Sequence, residues 1–212
     1  MVTIIDYGMG NVGSVLNMLK KIGVKAMLSS GPEDLFEADR LILPGVGAFD
    51  AGMNNLKEKG YLEVLNQLVL HKKIPILGIC LGMQLMTKSS EEGLMPGLGW
   101  LDAHTIRFKD LPFGIKIPHM GWNYIQIRKP SALLSNSTPE QRFYFVHSFY
   151  VSCSYSNDVL STTKYGVEFA SSFCHRNILG AQFHPEKSHR FGFEFLQNFI
   201  NWDPSINEQT SL

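Results

Sequence analysis

Three side chains in this sequence could together break an amide bond. Cys80 lies in Gly78-Ile79-Cys80-Leu81-Gly82, and His184 and Glu186 lie in His184-Pro185-Glu186. In that chemistry a thiolate attacks the carboxamide carbon and an imidazole takes the thiol proton and returns it to the leaving amine. A carboxylate holds the imidazole in the useful tautomer. The first stretch follows an apolar run, Ile74 to Ile79, and has the form of a nucleophile elbow with cysteine in place of serine. A strand should end at the cysteine, the chain turn sharply and a helix begin. Glycines flank the turn because a Cβ there would crowd the strand or the helix. Unpaired N–H groups at a helix start and a nearby imidazole both favour a thiolate. The second stretch reads as extended and broken by proline, which predicts that His184 and Glu186 project from the same side of the backbone.

Each element alone has a plainer reading. Cysteine is among the most buried residue types, so Cys80 by itself could be core packing. His184 and Glu186 could mark a solvated strand end. Of the 7 histidines, His71, His104, His175 and His189 have no motif around them. The pairing of His184 with a carboxylate two residues on, and of both with the glycine-framed Cys80, favours catalysis. Attack on a carboxamide also puts negative charge on oxygen, which needs preorganised N–H donors. The loop Pro44-Gly45-Val46-Gly47 can expose such donors, and Leu81 N–H at the helix start is another. On its own that loop would read as an ordinary β-to-α turn.

These groups need a scaffold to bring them together. The chain has 212 residues, which is enough for one domain burying ~70% of its unfolded surface. Lys plus Arg and Asp plus Glu number 19 each, so no basic field marks a nucleic-acid binder. Cys80, Cys153 and Cys174 show no C-x-x-C pair and no metal-ligand spacing; neither a metal nor a cofactor is expected. The odd cysteine number and the lack of a leader-like segment point to a reducing, cytoplasmic setting. No apolar run approaches the ~20 residues of a membrane helix.

The first half alternates strand and helix: strands at Val2–Asp6, Val24–Leu28, Leu41–Leu43 and Ile74–Ile79, and helices from Asn11 to Ile22 and from Leu56 to Leu70. Val12, Val15, Leu16, Leu19 and Ile22 recur at helical spacing after a capping Asn11, and Gly23 stops the run. Unbroken apolar strands between helices predict an α/β fold. Its mostly parallel central sheet would be covered on both faces, with its site at the carboxyl ends of the strands. Between Gly93 and Ser161 the segments are short and aromatic-rich, which suggests a small antiparallel β section, clearest at Phe143–His147. Ile178–Phe183 reads as a further strand. A last helix carries Phe195, Leu196, Phe199 and Ile200. Residues 1–203 then form one domain, with a polar tail at 204–212.

Gly8-Met9-Gly10-Asn11-Val12-Gly13 is formally G-x-G-x-x-G after a strand, the fingerprint of dinucleotide binding. The acidic residue of that fingerprint should close the second strand, near Ser29. The acids Glu33 and Asp34 instead follow Gly31-Pro32, in what reads as a turn and helix start. The reading also leaves Cys80, His184 and Glu186 unused.

Motifs spread over nearly the whole chain resemble the class I glutamine amidotransferases with a Cys-His-Glu triad. Within them the chain is similar to the glutaminase subunits of imidazole glycerol phosphate synthase. They are Asp6-Tyr7-Gly8-Met9-Gly10-Asn11, Pro44-Gly45-Val46-Gly47-Ala48-Phe49 and Gly78-Ile79-Cys80-Leu81-Gly82-Met83-Gln84. Further on come Pro118-His119-Met120-Gly121-Trp122-Asn123, Tyr144-Phe145-Val146-His147-Ser148 and Gln182-Phe183-His184-Pro185-Glu186-Lys187-Ser188. The resemblance implies hydrolysis of L-glutamine to glutamate and ammonia, with Cys80 as nucleophile, His184 as base and acid, and Glu186 orienting it. It implies Gly45, Val46 and Leu81 at the oxyanion hole, and Gly47, Gln84, Glu92, His147 and Ser148 at the glutamine.

It further implies a heterodimer in which ammonia passes to a (β/α)8-barrel, HisF-like cyclase subunit. That subunit would form imidazole glycerol phosphate and an aminoimidazole carboxamide ribotide. Asn11, Pro118, Met120, Trp122 and Lys187 would face that subunit; Trp and Met in a Gly/Pro-bounded loop suit interface anchors. The oxyanion loop at Val46 would then present its N–H productively only in the ligand-bound complex. Ser89-Ser90-Glu91-Glu92-Gly93 through Gly99-Trp100 resembles a subset of these subunits, some of which supply ammonia for an amidino group on a nucleotide sugar. A free-standing cysteine peptidase or γ-glutamyl hydrolase would use the same triad with no partner.

Overall fold

In the computed structural model, residues 1–134 and 140–204 are described. The expected tail at 204–212 lies, beyond Pro204, outside the described residues. Five strands form the parallel centre: β1 (Val2–Ile4), β2 (Ala26–Leu28), β3 (Arg40–Gly45), β4 (Ile76–Cys80) and a late strand, Ile178–Ala181. Numbered along the chain, the strands between β4 and that late one are β5 (Ser89–Ser90), β6 (Ala103–Arg107), β7 (His119–Tyr124), β8 (Gln126–Ile127) and β9 (Arg142–His147). They continue with β10 (Phe149–Cys153), β11 (Val159–Tyr165) and β12 (Val167–His175), so the late strand is β13.

The main sheet runs β2-β1-β3-β4-β13-β12-β10-β6-β5, with β11 and β8 branching from β12. From β13 through β12, β10 and β6 its neighbours are antiparallel. Thus the antiparallel section continues the parallel sheet, while β7 and β9 pair separately as a two-stranded sheet.

The parallel strands are apolar on both faces because helices cover both. Ile4, Ile42, Leu77 and Ile79 pack into one layer with α1 (Val12–Ile22) and α5 (His189–Asn201). Ile5, Leu41, Leu43 and Ile76 point into the other, against α2 (Phe49–Glu58) and α3 (Tyr61–Asn66). This is the period-two alternation of a strand with a core on each side. In α1, Val15 and Leu19 are buried, each stabilising the fold by about 1.5–3 kcal/mol relative to exposure. Asn11 Oδ1 accepts from Ser14 N–H at its start, and Gly23, at φ 84°, closes its end.

Two expected elements differ. The helix read from Leu56 to Leu70 begins earlier, at Phe49, breaks at Gly60 (φ 75°), and resumes as α3 followed by a wide π-type turn, Gln67–His71. Its true start has no local side-chain cap, since Ala48 precedes it and the Asp50 carboxylate accepts instead from Leu94 and Met95 N–H. The His184-Pro185-Glu186 stretch is not extended: β13 ends at Ala181, and Pro185–Lys187 form a 3-10 turn. No helix among the described residues is long and apolar enough to cross a membrane.

Candidate active site

β3 and β4 run side by side and end together, with Gly45 paired to Cys80. The short helix α4 (Leu81–Leu85) starts immediately after Cys80. Cys80 itself has φ 53° and ψ −109°, a conformation that costs roughly 1–3 kcal/mol and persists only where its surroundings hold it. Two glycines do the holding. A Cβ on Gly82 would stand 1.8 Å from the Leu43 carbonyl oxygen, and one on Gly78 would stand 2.7 Å from the Gly82 backbone. Strand, turn and helix therefore press together closely enough to lift the thiol out at the strand end.

The 3-10 turn brings Glu186 back onto His184. Its Oε1 accepts from His184 Nδ1 at 2.8 Å, and both side chains are buried. The backbone around the ring is also pinned: His184 N–H donates to Tyr144 O at 2.9 Å and Ser188 Oγ–H to His184 O at 2.6 Å. A proton on Nδ1 leaves Nε2 to exchange a proton with Cys80. Nε2 is buried with no hydrogen-bond partner, and Cys80 is near enough to raise the pKa of the ring. Catalytic contacts of this kind often tighten only around substrate. Desolvation lowers the His184 pKa, but the bonds and charges of Cys80 and Glu186 outweigh it and raise the value to about 10. The imidazolium therefore persists through neutral pH and is lost only as pH climbs through that raised value. Glu186→Gln removes one of the raising charges. We expect it to lower kcat for glutamine hydrolysis by about 10²–10⁴-fold, and to move the alkaline limb of the pH–rate profile to lower pH. An unmoved alkaline limb would contradict this role for Glu186.

Beside Cys80 opens a cavity of about 330 Å³ lined by Val46, Gly47, Leu81, Gln84, Glu92, Pro118, His147 and Ser148. The structure thus brings to one hollow every residue expected to hold glutamine and two of the three expected at the oxyanion hole. Gly45 lies just behind: a Cβ there would be 2.5 Å from Tyr7 Oη and 2.9 Å from Gly82 N. Glu92 Oε2 accepts from Phe49 N–H at 2.8 Å, which ties the loop after β5 to the start of α2. A larger cavity, about 700 Å³, lies between α1 and α5 and is reached by Glu186 and Lys187, away from the thiol.

Among the residues expected at a partner face, Met120 and Trp122 stand exposed on the outer face of β7. Trp122 stacks on His189 at 5.5 Å and lies under the Arg142 guanidinium. Pro118 lines the rim of the glutamine-sized hollow, Lys187 lies over the Tyr144 ring, and Asn11 caps α1.

Sequence reasoning assigned no role to several groups that touch the site. Gln182 Nε2–H donates to Cys80 Sγ at 3.7 Å, and Gln182 Oε1 accepts from Gln84 Nε2–H at 3.1 Å. Gln182 stands two residues before His184, and that neighbourhood was its only signal. The Tyr7 hydroxyl is buried beside the Gly45 loop with no partner, and burial, then the charge of Cys80, pushes its pKa well up. The other two thiols sit elsewhere; burial raises Cys153 to about 12 and Cys174 to about 11, so both stay protonated.

Residues 3–202 match the family of class-I glutamine amidotransferases. The imidazole glycerol phosphate synthase subunit HisH 2 of Methanococcus maripaludis is 54% identical over 200 residues, covering 94% of this chain and 98% of its own. The protein of the same name from Pseudomonas aeruginosa is 47% identical with the same coverage. The solved structure of PurLQS from Thermotoga maritima superposes with a TM-score of 0.73 at 16% identity, covering 94% of this chain and 97% of that one; the likeness is one of fold.

Proposed function

Because the chain belongs to the class I glutamine amidotransferase family, we propose that it is the glutaminase subunit of an imidazole glycerol phosphate synthase. The observation that carries this reading is the strained Cys80 beside the buried, Glu186-bound His184, at the floor of a hollow of side-chain size. Two relatives, 54% and 47% identical over nearly their full length, carry the name of that synthase, which favours this acceptor pathway over a sugar-amidine one.

The geometry supports the following reaction. Cys80 Sγ adds to the side-chain carbonyl carbon of glutamine, and the negative oxygen is met by N–H groups of the Val46 loop and of Leu81 at the helix start. His184 gives its proton to the nitrogen as the C–N bond breaks, releasing ammonia and leaving a γ-glutamyl thioester. Water, deprotonated by His184, then adds to the thioester and expels the thiolate, giving glutamate. Glu186 holds His184 throughout.

Ammonia set free in bulk water would be wasted, so the site is built to work inside a complex. The outer face of β7 offers Met120, Trp122 and Tyr124, 62%, 43% and 51% exposed, at alternate positions of one strand. Such a row of large side chains suits docking of a (β/α)8-barrel, HisF-like cyclase subunit, with Asn11, Pro118 and Lys187 around it. Binding would then set the loop at Val46, a residue 42% exposed, for the oxyanion. Glutamine hydrolysis should rise at least about tenfold, ~1.4 kcal/mol of barrier, when the ligand-loaded cyclase partner is added to the lone chain. Equal rates with and without the partner would refute the gating.

A further inference from the structure

β7 and β9 face each other with His119 directly opposite His147. Between them runs a chain of hydrogen bonds whose direction can be worked out link by link. The Phe149 carbonyl can only accept, so His147 Nδ1, 2.8 Å away, carries the proton. Its ring is neutral, since burial and the nearby His119 and His184 hold its pKa down to about 3 despite the Phe149 bond. His147 Nε2 is therefore bare and accepts from His119 Nδ1–H at 3.0 Å. His119 is neutral too, with a pKa lowered to about 4 by burial, so its own Nε2 accepts from Asn123 Nδ2–H at 3.2 Å. The Asn123 amide is oriented independently: its Nδ2–H donates to Lys164 O at 3.1 Å and its Oδ1 accepts from Tyr124 N–H at 2.8 Å. On the far side, Gln84 donates to the same Phe149 carbonyl at 2.9 Å and to Gln182, which donates to Cys80 Sγ.

Both ring nitrogens of His147 are thus spent inside the protein. The side chain has no hydrogen bond left for a ligand, although it lines the hollow beside Cys80. Its part is to hold the Val146–Phe149 wall, whose Val146 carbonyl lies 3.9 Å from Cys80 Sγ. We propose that His119, oriented by Asn123, is a positioning residue for the glutamine pocket: its Nδ1–H locks His147 in one tautomer and ties the wall facing Cys80 to the strand that carries Met120 and Trp122. This rests on the glutaminase reading for its substrate, but the tautomer assignment does not. Because His119 points inward from the strand whose neighbouring residues stand exposed, movement of β7 on docking would pass to the pocket through this side-chain bond as well as through the β7–β9 ladder.

The ring of His119 is enclosed by Phe145, His147, Tyr165 and Phe169, with Asn123 and the Lys164 carbonyl at its Nε2 side. No carboxylate is among these neighbours, so a carboxylate introduced there would be felt. The first test is the imidazole nitrogen shifts of the ¹⁵N-labelled chain, assigned with His119→Asn and His147→Asn variants. His119 and His147 should both be neutral with the proton on Nδ1; an Nε2–H tautomer at either ring overturns the proposal.

The second test is steady-state kinetics of the chain in complex with its cyclase partner. His119→Leu should raise KM for glutamine at least about tenfold while changing kcat less than about threefold, and His119→Asn, which keeps a donor near the Nδ1 position, should recover most of the loss. Native KM in His119→Leu would sink the idea. Asn123→Asp, of equal size, gives a third measurement should His119→Leu not fold. An acceptor-only carboxylate draws a proton to His119 Nε2, so kcat/KM should gain an ionisation between pH 5 and 8 that the parent lacks, and an unchanged profile would count against the relay. A parent complex with no glutaminase activity would instead refute the functional reading and leave the nitrogen shifts to decide the tautomers.

Discussion

Cys80→Ala should abolish glutamine-dependent turnover of the complex while ammonia-driven turnover by the partner continues. The drop should be at least about 10⁴-fold, because removing the nucleophile of a triad costs nearly as much as removing the whole set. The separation of the two activities follows from where Cys80 lies. Its thiol faces the hollow lined by Val46, Gln84 and His147, whereas the exposed row Met120, Trp122 and Tyr124 is on the outer face of β7. Deleting one sulfur atom at the floor of the hollow leaves that outer face intact, so the partner should still dock and still use ammonia supplied at alkaline pH. Cys153→Ala and Cys174→Ala serve as controls, since burial keeps those thiols protonated and neither lies at the hollow. Initial rates of product formation with glutamine and with ammonium salt decide the matter. Residual glutamine use by Cys80→Ala would remove Cys80 from the mechanism, and loss of the ammonia-driven rate would show that the site and the docking face are not separable.

How much of this was legible in the sequence depends on how local each cause is. The boundaries of α1 could be read from Asn11 and Gly23, because cap and stop are set within one turn of chain. The parallel centre could be read because strands covered on both faces are apolar at most positions, Thr3 of β1 being an exception. The start of α2 could not: Ala48 gives no cap, and the acid that would signal a first turn is engaged by backbone 44 and 45 residues away. The pairing of His184 with Glu186 was inferred from an extended backbone, whereas a 3-10 turn makes the contact. Two residues of separation are short enough for either geometry to serve. His119 with His147, and Gln182 with Cys80, are contacts across 28 and 102 residues. Their partners are fixed by strand register, which no local pattern encodes. The Phe149 carbonyl shows the limit most clearly, since it joins His147 to Gln84 through backbone alone and its side-chain identity has no bearing on the link.

Gly82→Ala should be among the most damaging single methyls in the chain, matched at Gly192, where a Cβ would stand 1.8 Å from the Pro185 carbonyl oxygen. The added Cβ would lie 1.8 Å from the Leu43 carbonyl oxygen and 2.8 Å from its carbon, both backbone atoms of β3. β3 lies between β1 and β4 and is bonded to each, so it cannot withdraw without breaking parallel ladder bonds on both sides. Overpacking against a flexible side chain typically costs about 1–3 kcal/mol, and against a fixed carbonyl the cost should exceed that range. Gly13→Ala provides the contrast. Gly13 lies in α1 with nothing within 4 Å of its would-be Cβ, so alanine there should stabilise by up to about 1 kcal/mol. Urea midpoints of the two variants should therefore move in opposite directions. A native midpoint for Gly82→Ala would show that α4 does not press on β3 as closely as this. The loss should also extend beyond stability. If α4 shifts to relieve the contact, the Leu81 N–H moves with it and the strained turn at Cys80 relaxes, so even the folded fraction should hydrolyse glutamine more slowly. Activity per folded molecule, measured at temperatures well below the midpoint, separates these two effects: the closeness that excludes a methyl from position 82 is also what holds the thiol and the oxyanion donor in register.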